Sequence, residues 1–316
     1  MALGALGYVG YGIESVEGTQ VAPTKYLPVS SFSFEDSNDY IVPDQIRHSR
    51  DNYIAMAAPY AVSGTMEMEL IPNGVGHLLK SAFAATIATS AYAGGGYQHI
   101  MTPAASAQTF SFESSANDVL VMRYGGCRVN TIEIKAAFGE IVTASFGIEG
   151  VNRTKIGSAN TPSYVNTVPF HFSGVDIKAA SGTLLTTVKD FTFGVNNNIE
   201  RIGTLRKTRS WLRMDLGKRE VTLALTMDFQ DTAEYDRFLA ETIFDVDLHL
   251  AGPIGVGMGT NPAILRIQIQ SVRWNKVGVP LSAGDMLEQS VEALIVAPIG
   301  GSIFTATFVC DEPTIV

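Results

Sequence analysis

Alternating apolar and polar positions run through most of the chain. Residues 64–71 set Met66, Met68 and Leu70 against Glu67 and Glu69, and residues 219–229 set Val221, Leu223, Leu225, Met227 and Phe229 against Thr222, Thr226 and Asp228. A period of two predicts strands with one buried face and one wet face. A helix pattern follows each of them. After Phe229, Asp231 stands as N-cap with Glu234 three residues on, and Tyr235, Phe238, Leu239 and Ile243 recur at helical spacing. After Ile71, Asn73 stands as cap and Val75, Leu78, Leu79, Ala82 and Phe83 fall on one face.

Two stretches break strand rules in the same way. Phe32 and Phe34 alternate with polar residues and then give way to a polar run up to about residue 55; Phe191 and Phe193 do the same before Asn196, Asn197, Asn198 and the basic run 201–209. Polar excursions this long inside a compact domain call for a functional reason. Phe32 to Phe191, Phe34 to Phe193, Met68 to Met227 and Leu70 to Phe229 are each 159 positions apart, and residues 139–146 match 284–291 at an offset of 145. The order Phe-x-Phe strand, excursion, return strand and helix therefore occurs twice, which identifies an internal duplication. The second copy lacks about fourteen residues between helix and final strands, and the hairpin-like 108–124 is the expected extra piece. The seam is expected within 152–170, where Gly, Ser, Asn, Thr and Pro crowd together.

A chain of 316 residues with 46 % hydrophobic content supplies a substantial core. Its net charge of −9 argues against gripping nucleic acid through a basic face. The N-terminal segment lacks a basic n-region, no window reads as a membrane span, and two distant cysteines, Cys127 and Cys310, favour free thiols and a reducing compartment. His48, His77, His99, His171 and His249 are scattered without metal-ligand spacing. There is no nucleophile elbow and no phosphate loop; the glycine-rich 252–262 reads as a flexible loop, and Trp211 and Trp274 read as core or interface residues. No enzyme activity, cofactor or metal is expected.

Several stretches in order carry a family resemblance: "GYGIESVEGTQVAPTKYLPVSSFSFE", "SGTMEMELIPNGVGHLL", "YQHIMTP" and "GCRVNTIEIKAAFGEIVTASFGIEG". The chain resembles the major tail tube proteins of long-tailed bacteriophages, in the class with two copies of the tube fold. The resemblance implies two tandem β-sandwich or barrel domains, each with one flanking helix: an N-terminal arm over 1–30, copy one over 31–160 and copy two over 161–316. It implies a structural virion protein that self-assembles into stacked rings, with other tail proteins at the tube ends. DNA would pass through the bore without specific binding, and assembly would take place in the host cytoplasm. Two copies per chain imply a trimeric ring of pseudo-sixfold symmetry, unless only copy one lines the tube and six chains are needed. The excursions become ring-stacking loops, with Asp36, Asp39, Asp44, Arg47, Arg50, Asn196, Asn197, Asn198, Arg201, Arg206 and Arg209 as contact residues. Glu67, Glu69 and Asp228 become lumen-facing. A tandem β-sandwich binding module, such as an adhesin, baseplate or decoration protein, is the alternative; it predicts small discrete oligomers.

Overall fold

A computed structural model describes residues 4–165, 167–180, 182–205, 207–254, 261–280 and 286–315. The first half contributes β1 (Tyr8–Ile13), β2 (Lys25–Leu27), β3 (Ser31–Ile41), β4 (Met56–Glu69), α1 (Gly76–Ala82), β5 (Ala85–Ala91), β6 (Tyr97–Pro103), β7 (Phe110–Ala116), β8 (Leu120–Ala137), β9 (Thr143–Gly150) and β10 (Asn152–Ile156). The second contributes β11 (Val175–Ala179), β12 (Thr183–Leu184), β13 (Val188–Asn196), β14 (Glu200–Ile202), β15 (Arg213–Asp215), β16 (Glu220–Asp228), α2 (Ala233–Leu239), β17 (Phe244–Ile254), β18 (Pro262–Gly278), β19 (Glu288–Ile295) and β20 (Phe304–Cys310). The protein is mainly β, as the alternation predicts.

The strand pairings of one half recur in the other. In the first half β1 pairs with β2 and β7, β8 with β7, β9 and β10, and β4 with β3 and β9. In the second, β11 pairs with β12 and β17, β18 with β17, β19 and β20, and β16 with β13 and β19. Every pairing of the first list has its counterpart in the second. The correspondence extends to irregularities. β8 and β18 each pass from a short flanking sheet into a long one through a left-handed residue, Gly126 (φ 62°) and Ser271 (φ 53°), which lie 145 apart. Each then bulges at an asparagine, between Val129 and Thr131 and between Trp274 and Lys276.

The long sheet is antiparallel, in the order β3, β4, β9, β8, β13, β16, β19, β18. The two halves join in it through β13 and β8, from Asp190 opposite Ala137 to Asn196 opposite Thr131. Flanking sheets lie on its apolar face: β2, β1, β7, β8, β10 from the first half, and β5, β6, β20, β18, β17, β11, β12 around the second. Residues 8–13 and 25–27 of the N-terminal segment thus pair into a flanking sheet, because Tyr8, Val9, Tyr11 and Leu27 bury there.

The extra piece of the first half is the hairpin β5–β6, with Gly94, Gly95 and Gly96 at its tip, and not 108–124, whose strands β7 and β8 have partners in β17 and β18. β6 pairs with β20 and so places first-half residues in the second half's sheet. Phe83, Phe193 and Phe304 meet edge to face at 5.1–6.4 Å where the halves touch. All three are fully buried, and each contributes roughly 1.5–3 kcal/mol relative to an exposed ring.

Neither expected helix cap forms. Asn73 Oδ1 instead accepts from the Asp311 N–H (3.1 Å), tying the C-terminal segment down, and α1 starts after Val75 without a side-chain cap. α2 starts after Thr232; Asp231 accepts from the Ala233 N–H (2.9 Å), and Glu234 is drawn inward to accept from the buried Trp274 indole (2.7 Å). Cys127 and Cys310 are free and buried.

Candidate functional site: sheet edges, excursions and the wet face

Among the described residues, two strands of the long sheet pair on one side only: β3 at one end and the C-terminal part of β18 at the other. Their counterparts by duplication, β13 and β8, are paired with each other inside the chain. Inside the chain this joint is formed once, and the equivalent edges on β3 and β18 are left open among the described residues.

The finished joint shows what the second excursion does. It leaves β13 at Asn198 (φ 47°) and continues as the short hairpin β14–β15. Asn197 is buried, donates from Nδ2 to the carbonyls of Ala82 (2.8 Å) and Val129 (3.2 Å), and its backbone N–H donates to Asn130 O (2.8 Å). Asn196 Oδ1 accepts from the Asn198 N–H, and the Ile199 N–H donates to Asn130 Oδ1, both at 2.9 Å. Arg201 pairs with Glu149 and donates to Val62 O (2.9 Å). Burial pushes the Glu149 carboxyl above its ordinary range, and the Arg201 guanidinium opposes that shift. Arg209 donates to Ala58 O (2.7 Å) and the Trp211 indole to Tyr60 O (3.0 Å). The Met214 N–H donates to Glu17 (2.9 Å), which also pairs with Arg128 (2.7 Å). Arg206 lies outside the described residues.

The first excursion behaves differently. The polar run that reads as a loop is ladder as far as Ile41, because β4 extends to Met56 and keeps pairing past a bulge at Asp39. Only 42–55 is unpaired. Asp36 pairs with Arg153 (3.1 Å), and Arg47 lies over the Tyr53 ring at 3.6 Å. Asp39, Asp44 and Arg50 are exposed, together with Tyr40, Ile41, Val42, Ile46, Ile54 and Met56. The arm thus exposes large apolar side chains in a cluster, which monomeric proteins rarely do.

The long sheet's wet face is mapped by its register. One row reads Ser31, Glu67, Ser145, Glu133, Gly194, Thr222, Leu294, Arg273, and the next reads Glu69, Thr143, Lys135, Thr192, Ala224, Glu292, Lys276. Asp228 opposes Glu288 further along. Glu67, Glu69 and Asp228 thus share this face, while Met66, Met68 and Met227 behind them are buried. Small polar residues and carboxylates make up most of it.

A family profile described as phage tail tube protein matches residues 4–293. The chain belongs to the phage tail tube protein family. A search of curated proteins found no match. This tail tube protein is accordingly a structural component of the virion tail. Among the residues of the joint, Asn130, Glu149, Glu17 and Arg128 escape a reading of the sequence, since each sits in an ordinary strand or turn pattern. The signal that finds Asn130 is its partner Asn275, 145 positions on.

Proposed function

We propose that three copies close into a ring by repeating the β13–β8 joint between chains, β3 of one against β18 of the next, and that rings stack into a tube that conducts DNA. The observation that carries this reading is the matched pair of open edges on a sheet whose equivalent edges are already joined. Transferring the internal register through the offsets of 159 and 145 sets Glu35 opposite Gly278 and Ser37 opposite Lys276. Closure also removes both exposed edges, which an unassembled chain would offer to any strand.

Size favours three chains over six. Strands spaced about 4.8 Å apart give three eight-stranded sheets a circumference on the order of 115 Å and a backbone diameter of about 37 Å before tilt widens it. Six such sheets would make a bore of about 73 Å, far wider than one duplex needs. A ring lined by first halves alone is disfavoured by the continuity of the sheet across β8 and β13. With helices and flanking sheets on the apolar face, closure turns the wet face inward. The arm at 42–55 leaves the sheet at the rim opposite the β8–β9 turn and reaches the next ring, with Asp44, Arg47 and Arg50 at its tip; Asp36 and Asp39 lie at its root. Of the second excursion, Asn197, Arg201 and Arg209 are engaged within the chain, which leaves its tip for stacking.

Electron microscopy of concentrated protein tests the assembly: stacked rings with threefold end views are expected, and solely monomeric particles at every concentration would remove the reading. Ser37→Cys with Lys276→Cys tests the register. Oxidation of assembled protein should give covalent dimers and trimers, whereas the pair Ser33→Cys with Lys276→Cys, four positions out of register, should not.

A further inference from the structure

We propose that the cleft between α2, the bulge of β18 and the end of β19 is the receptor for the root of a second copy's β3–β4 arm. Val42 of that copy would sit on Leu294, and its Asn38 against Asn275. This rests on the ring reading, and it specifies contacts that edge pairing alone does not require.

The cleft has a volume of about 440 Å³ and is lined by Leu239, Arg273, Trp274, Asn275 and Leu294 among others. Its counterpart on the first half, at the end of α1 and beside Arg128, Val129, Asn130 and Glu149, is filled by the second excursion of the same chain through Asn197, Ile199 and Arg201. The offset of 145 maps Arg128, Val129, Asn130 and Glu149 onto Arg273, Trp274, Asn275 and Leu294. The offset of 159 maps Asn197, Ile199 and Arg201 onto Asn38, Tyr40 and Val42. The pairing of Glu200 with Asp215 maps through 159 onto that of Ile41 with Met56, so the mapping holds past the end of β13.

The mapped residues are complementary. The asparagines of the internal joint recur as asparagines, Asn38 and Asn275. The ion pair Arg201–Glu149 is replaced on both sides at once by Val42 and Leu294, an apolar pair. Val42 is 44 % exposed and Leu294 49 %, and Tyr40 and Leu239 beside them are 62 % and 63 % exposed. Large apolar side chains clustered at both halves of an unformed contact are what a second copy would cover. Changing one member alone would set a charge against a hydrocarbon, which costs because the charge is desolvated without a partner.

The test transplants the internal ion pair into the joint between chains. Val42→Arg alone and Leu294→Glu alone should each raise the concentration needed for ring formation about tenfold, and the double variant should recover most of that loss. Assembly of the double variant should also weaken in high salt, unlike the parent. Thermal unfolding of the isolated chains should be unchanged, since both positions are exposed. In parallel, Val42→Cys with Leu294→Cys should form a disulfide between chains in oxidised rings. A double variant no better than the worse single one, single variants that assemble like the parent, or rings without that disulfide would each overturn the clamp and leave the ring reading standing. A parent chain that never forms rings would overturn the ring reading itself, and the clamp with it.

Discussion

Asn197 concentrates the joint into one side chain. It is 1 % exposed and donates two hydrogen bonds to main-chain carbonyls of the other half, so its loss would strand two buried acceptors. Asn197→Ala should destabilise the isolated chain by about 2–3 kcal/mol, measurable by urea unfolding. Asn38→Ala removes the equivalent residue at the open edge. On the surface of its own chain Asn38 accepts from Arg153 (3.0 Å) and Arg209 (3.4 Å), so the substitution should cost the isolated chain no more than about 1 kcal/mol and act mainly on assembly. Equal destabilisation by the two substitutions would show that the excursions are not used differently. Glu14 is a second buried organiser, accepting from Ser111 (2.6 Å), the Gly126 N–H (2.9 Å) and the Gly18 N–H (2.8 Å). Burial raises its pKa, and those donors offset part of the shift.

At the scale of elements, the hairpin β5–β6 latches the first half onto the second, and His99 is its buried polar contact. Thr89 Oγ1 donates to His99 Nδ1 (2.9 Å), and His99 Nε2 donates to Glu312 O (2.9 Å). Burial holds the His99 pKa below its ordinary value. The folded chain therefore keeps the ring neutral while the unfolded chain takes up a proton below about pH 6.5, so this contribution is whole above that pH and is lost as pH falls through it. The melting temperature should drop between pH 7.5 and 5, and His99→Gln should flatten that drop; a parallel slope in both proteins would place the sensitivity elsewhere. The latch also shows where sequence reading stops. Alternation and two offsets expose the strands, the duplication and the buried methionine rows, because a half-buried strand writes its burial directly into its pattern. They do not reveal that β6 pairs with β20, a contact between residues more than two hundred apart. They also misplace both caps, because Asn73 and Glu234 find tertiary partners that outcompete their own helices. The excursions were legible as exceptions, but which one is spent inside the chain depends on that same long-range packing.

For the whole molecule, the conduit proposed above would have to avoid holding its cargo, and the wet face is the surface its cargo would meet. Acids on or beside it include Glu35, Glu67, Glu69, Glu133, Asp190, Glu220, Asp228, Glu288 and Glu292, and bases include Lys135, Lys189, Lys276 and Arg273. Three of those bases are engaged locally: Lys135 with Glu133, Lys276 with Glu292 (2.5 Å), and Lys189 with Glu288 (2.8 Å). Lys189 also lies 3.9 Å from Asp228, and the remaining field is acidic and comes largely from Glu35, Glu67, Glu69, Asp190 and Glu220. Such a field acts within a Debye length of about 8 Å in physiological salt, so it matters for DNA approaching the wall and not for DNA on the axis. Replacing Glu67, Glu69 and Asp228 by Lys changes the charge by six per chain without touching the buried face behind them. Tubes of that variant should retain short duplex DNA in a sedimentation assay at low salt and release it as salt rises, because lysine–phosphate contacts displace counterions. Parent tubes should retain none. If the variant tubes also leave DNA in solution, the wet face does not line the bore, and the sheet must close with its other side inward.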